Sequence, residues 1–147
     1  MTEISAVRSL LAATLPLMKA PPVNLGAICT YLNIEVYGQP CHSFGAMYVK
    51  NGEQGIVLVN TSMPITRARF SIAHELGHII LGHTPIPHIT APHSVRQERE
   101  ADRFASELLM PSEFILNDAQ QLSFSDMKKR YRVSKQALEI RLKQLMR

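Results

Sequence analysis

A chain of 147 residues has the length of one ordinary domain, enough for a real core and with little room for a second. Apolar residues make up 46% and charged residues 19%, which excludes a disordered chain, and no apolar run reaches the length of a bilayer span. The formal charge of +4 is uneven, because residues 126–147 hold eight Lys and Arg against Asp126 and Glu139, so the basic character belongs to the tail and the remainder is slightly acidic.

The N-terminal stretch around "SLLAATLPLMKA" is apolar, but no basic segment precedes it, and Ile4, Val7, Leu11, Leu15 and Met18 recur at helical spacing. An amphipathic first helix is expected, not a leader peptide. A short helix beginning at Asn24 follows, then a strand over "IEVYG" and a hairpin over residues 45–60, with "NGEQG" as a loop of several residues. From Ser62, a candidate N-cap, the pattern turns helical, and Ile65, Ala68, Ile72, Leu76, Ile79 and Ile80 share one face as far as Gly82. Residues 83–94 carry three prolines and three histidines and read as a loop. A long helix over Val95 to Leu109 stops at Pro111; a shorter one and two more, joined tightly at Val133 and Ser134, complete the chain. Cys29 and Cys41 form no paired motif, so a reducing, cytoplasmic setting is expected.

The stretch "FSIAHELGHIILGH" holds the chemistry. Side chains four apart on a helix lie over one another, so His74 and His78 can aim two imidazoles at one point, with Glu75 one step round the helix. This is the H-E-x-x-H arrangement of zinc hydrolases: zinc at that point activates water and Glu75 takes the proton. A catalytic zinc wants a third protein ligand. The metzincin continuation is excluded, because its glycine and histidine positions hold Leu81 and Thr84. His83, His88 and His93 remain as loop candidates, with His83 five after His78 on the wrong face, and the next helix offers carboxylates. Against the face of Ala101, Phe104, Ala105, Leu108 and Leu109, Glu98 lies about 60° from the middle, Glu100 about 100° and Glu107 about 120°. Glu98 is therefore the ligand expected, Asp102 beside it the partner of a histidine's far nitrogen, and Glu100 and Glu107 solvated surface charges. His88, His93 and Tyr131 are candidate donors to the transition state. Cys41 beside His42 makes a poor nucleophilic dyad, since adjacent residues of an extended segment point apart.

Together, "RFSIAHELGHIILGH", "EREADRFASELLMP" and "YRVSKQALEIRLKQL" resemble the ImmA/IrrE metallo-endopeptidases of gluzincin type, over Arg69 to Leu145. That family's second motif, E-x-x-A-[DN]-x-F-A, falls on Glu98, Ala101, Asp102, Phe104 and Ala105, which agrees with Glu98 as third ligand. The resemblance implies an α+β, mostly helical zincin-like domain, with a small antiparallel sheet before the zinc helix and a C-terminal helical hairpin. It also implies a cytoplasmic Zn2+-dependent protease whose partner is a helix-turn-helix repressor or an antitoxin, in prophage or toxin–antitoxin settings. One domain over residues 1–147 is expected, with a catalytic body to about 122 and the basic hairpin, 123–147, packed on it. The rival expectation is a regulatory DNA- or protein-binding module with a structural zinc and a helix-turn-helix-like tail, although structural sites are usually rich in cysteine. The β-prone run at residues 55–60 is expected to be an exposed strand edge that pairs with substrate.

Overall fold

The computed structural model describes residues 2–14, 20–83 and 93–146. Helix α1 (Glu3–Thr14) buries Ala6, Val7, Leu10 and Leu11. Ile4, expected on that face, is half exposed, and Leu15 and Met18 lie outside the described residues. Helix α2 (Leu25–Tyr31) starts where Asn24 caps it, its Oδ1 accepting from the Ala27 N–H at 3.0 Å.

Strands β1 (Ile34–Gln39), β2 (Ala46–Asn51) and β3 (Gln54–Asn60) form one sheet in the order β1-β3-β2. The hairpin closes more tightly than "NGEQG" suggests, with only Gly52 and Glu53 between its strands. The sheet is mixed and not antiparallel: β2 pairs antiparallel with β3, while β1 lies parallel to it, Ile34 opposite Gly55. A side chain helps to align their starts, as Gln54 Nε2 donates to Asn33 O at 2.9 Å. β3 is thus the central strand, paired on both sides, and the exposed edge expected at residues 55–60 falls to its neighbours.

Helix α3 (Ile65–Ile80) packs on β2 and β3 with one side and on helix α4 (Val95–Leu109) with another. Its N-cap is Pro64, with no side-chain cap bond, so Ser62 does not serve. Ala68, Ala73, Leu76, Gly77 and His78 are buried, whereas Ile65 at the open first turn is exposed. Gly77 sets how close the two helices come. A Cβ there would stand 3.1 Å from the Ala101 Cα and from Phe104, tighter than ordinary contact, so a larger residue would require α4 or the Phe104 ring to give way. Ser94 and Gln97 form a reciprocal capping box at the start of α4.

Helices α5 (Ser112–Gln121), α6 (Phe124–Tyr131) and α7 (Lys135–Leu145) follow, the last two capped by Ser123 and Ser134. Met127, Tyr131, Val133 and Leu138 enter the same core as Phe104 and Leu108. The molecule is α+β and mostly helical, and among the described residues no helix is long and apolar enough to cross a membrane.

Candidate metal centre

The close approach of α3 and α4 at Gly77 brings Glu98 against the two histidines. Its Oε2 lies 3.1 Å from His74 Nε2 and its Oε1 lies 2.9 Å from His78 Nε2, and the two Nε2 atoms are 3.0 Å apart. The far nitrogens determine what those atoms are. His74 Nδ1 stands 2.8 Å from Asp102 Oδ1, and a carboxylate can only accept, so Nδ1 bears the proton and Nε2 a lone pair. His78 Nδ1 faces His83 Nδ1 at 3.2 Å, and His83 Nε2 faces Glu100 Oε2 at 2.9 Å. With both rings neutral, nitrogen lone pairs and a carboxylate from three side chains converge, an arrangement suited to a cation. Among the described residues His74, His78 and Glu98 form the group whose ligand atoms lie within 4.8 Å of one another, and two imidazoles with a carboxylate are the donor set of a catalytic zinc.

Charge follows geometry. Burial pushes His78 down to about 4, helped by the His93 and His74 rings, so it is held in the neutral form that ligates. Burial lowers His74 as well, but Asp102, Glu98 and Glu75 together outweigh that and its pKa ends above the ordinary value. Glu75 is raised, chiefly by burial and further by Glu98. It takes no part in the cluster and borders a cleft on either side of it. One cleft, of about 280 Å³, is walled by Gly45, Phe70, Ser71 and His74; the other, of about 220 Å³, by Ala46, Tyr48, His78 and His93.

The structure redistributes the other polar residues. Glu100 is partly buried against His83 and Arg96, and Glu107 is buried against Arg141, so neither is the solvated charge that its angle suggested. The reason is that α4 packs against α1, α3 and α7, and no single apolar face describes a helix covered on several sides. Glu98, the nearest to the middle of that face, keeps its carboxylate 48% exposed at the mouth of the site. His83 is no loop side chain on a wrong face but part of the cluster's support, missed because helical counting was carried past the helix end. His93 stacks on His78 with ring centroids 3.7 Å apart, and its Nε2 donates to His83 O at 2.7 Å. Tyr131 is withdrawn from the candidate donors: it is fully buried and its hydroxyl donates to Asp118 at 2.6 Å. His88 lies outside the described residues. The Cys41 amide donates to Asn60 Oδ1 at 3.1 Å, and its thiol accepts from the Ser43 N–H at 3.2 Å.

The model of the IrrE N-terminal-like domain, peptidase family M78, matches residues 29–143. The chain belongs to this family. The matched span holds α3, α4 and every member of the cluster, and leaves α1, the start of α2 and the end of α7 outside. No curated protein matches the chain. Among solved structures, a Mycobacterium tuberculosis transcriptional regulator is similar, with a TM-score of 0.64 at 16% identity. The match covers 92% of this M78-family chain and 44% of that one, so the chain spans less than half of that protein's length, and the likeness is one of fold alone.

Proposed function

We propose that the protein is a zinc-dependent endopeptidase that cleaves a protein partner, a helix-turn-helix repressor or an antitoxin, in the cytoplasm. The observation that carries this reading is the position of Glu75, beside the cation cluster, outside it, and bordering a cleft on each side. His74, His78 and Glu98 hold the metal, and Asp102 orients His74. A zinc ion held there supplies Lewis acidity, which brings deprotonation of water towards neutral pH and polarises a peptide carbonyl. Glu75 receives the proton of the attacking water, and its raised pKa suits it to pass that proton to the leaving amine. The partner class rests on the family likeness, and transcription is also the setting named for the solved neighbour.

The strand edge beside this site belongs to β2. Asn60 N–H donates to Gly45 O at 2.8 Å, which marks that pair as hydrogen-bonded, so in an antiparallel ladder the backbone groups of Ala46, Tyr48 and Lys50 face away from β3. Ala46 and Tyr48 also line the cleft against Glu75, so a substrate strand added to this edge would run past the cluster. Glu75→Gln should retain zinc and fold while cleavage falls by at least 100-fold. With that variant and substrate bound, amide exchange should slow at Ala46 and Tyr48. Undiminished cleavage would overturn the proposal.

The rival, a structural zinc with a nucleic-acid-binding tail, has less to recommend it: the donor set contains no cysteine, and the tail spends Met127, Tyr131, Val133 and Leu138 on the core.

A further inference from the structure

Helix α3 ends in a return of the chain. Gly82 adopts φ +77°, its N–H donates to Ile79 O at 3.2 Å, and the His83 N–H donates to His78 O at 2.7 Å. These two bonds define a Schellman motif, which folds the residue after the glycine back against the last turn of the helix. Had the chain stayed helical, His83 would lie about 140° round the axis from His78. Ended in this way, it lies beside it.

The contact has a direction. Arg96 Nε donates to Glu100 Oε1 at 2.8 Å, which steadies the carboxylate whose Oε2 stands 2.9 Å from His83 Nε2. A carboxylate accepts, so His83 Nε2 carries the proton, and in a neutral ring Nδ1 is then an acceptor. A metal that takes the His78 Nε2 lone pair leaves that ring's proton on Nδ1, where His83 Nδ1 can accept it across 3.2 Å. His78 Nε2 then stands beside Glu98 Oε1, 2.9 Å away, as a fellow ligand. The His83 backbone is also held from the other side, its carbonyl accepting from His93 Nε2.

Building on the zinc reading above, we infer that His83 and Glu100 are positioning residues, delivered by the helix-end return at Gly82, which fix His78 in the form that presents Nε2 to the metal. The two metal histidines are then supported differently. His74 has a carboxylate directly on its Nδ1, whereas His78 has one at the far side of a second imidazole, so less negative charge is relayed to it.

The test is the affinity of the purified full chain for zinc alone, measured by competition with a chelator, together with the long-range ¹H–¹⁵N spectrum of the histidine rings. His83→Phe keeps a ring and removes the acceptor. It should weaken zinc binding about 10- to 100-fold and abolish the single Nδ1–H pattern of His78. His83→Gln offers an amide oxygen in its place and should recover part of the loss. Gly82→Ala leaves every site residue intact, and its Cβ meets nothing within 4 Å, so it acts only through the positive φ and should weaken zinc in the same direction. Circular dichroism of the metal-free variants separates loss of fold from loss of positioning, and if His83→Phe does not fold, Gly82→Ala and Glu100→Gln decide. Wild-type affinity with an unchanged His78 pattern in the folded variants overturns the inference and leaves the peptidase reading standing; a wild-type chain that takes up no zinc overturns both.

Discussion

Glu98 in the first turn of α4 and Glu107 in its last turn are the same side chain on the same helix, and their surroundings are opposite. Glu107 is 6% exposed and meets the Arg141 guanidinium, with Ser112 Oγ bonded to both partners. Every charge at that end has its counterpart within the chain. Glu98 is 48% exposed, and its partners are imidazole nitrogens that present lone pairs, with no Lys or Arg beside it among the described residues. A closed cluster of this kind joins elements: Arg141 of α7 also donates to Met110 O at 3.1 Å, just past the end of α4. The open cluster instead gathers acceptors from α3 and α4, a donor set that could hold a cation. That contrast separates a closed polar site from a candidate ligand site on chemistry alone.

The strongest way to break the comparison is to remove the internal cation. Arg141→Met should cost about 3–5 kcal/mol in denaturant unfolding, since it leaves the Glu107 carboxylate buried without a counter-charge. Zinc affinity of the folded fraction should not change. If Arg141→Met weakened zinc as much as it lowered stability, the two ends of α4 would be one coupled network and the distinction would fail.

A second contrast is pH. His78, burial-depressed from 6.5 to about 4, contributes stability that is present above the unfolded value and lost as pH falls through about 4. Glu75, shifted upward from 4.5, contributes in the opposite sense within that window, so the net loss is smaller than His78 alone would give, whereas the upward shift of His74 acts above pH 6.5. Metal-free protein should therefore lose stability between pH 6.5 and 4 in chelator-treated melts, by a few kcal/mol at most. His78→Gln should flatten that slope, whereas Arg141→Met should lower the whole curve and keep its shape. A slope unaltered by His78→Gln would move the titration elsewhere.

Which of these features the sequence discloses depends on how local their causes are. His74, Glu75 and His78 follow from helical spacing alone, and Glu98 with Asp102 from the face of one further helix. The hairpin is legible because its turn lies between its strands, but nothing in residues 34–39 says on which side of β3 they will lie, and so the parallel pairing was not. His83 was misplaced because its position depends on where α3 stops, and Gly82 carried that information all along. Glu107 and Arg141 are the extreme case. Their pairing is set by how α7 docks on α4, and each alone looks like an ordinary surface charge. The convergence of His74, His78 and Glu98 was therefore legible from helical spacing, while the residues around them are set by helix ends and long-range packing.

The smallest effect expected concerns Ser112. Its hydroxyl donates to Glu107 Oε1 at 2.9 Å and accepts from Arg141 Nη2 at 3.1 Å, so it bridges a pair that already touches. Ser112→Ala leaves both charges paired, removes one hydrogen bond from each, and opens little space, since only an oxygen is lost. Hydrogen bonds to charged groups contribute about 1.5–3 kcal/mol when fully buried; with Ser112 partly exposed and the ion pair intact, about 1 kcal/mol is expected. The first turn of α5 should not suffer, because alanine is the better helix former. Measured by urea unfolding, the variant should fall well short of Arg141→Met, with zinc affinity unchanged. A loss equal to that of Arg141→Met would mean that the hydroxyl, and not the ion pair, closes this end of α4.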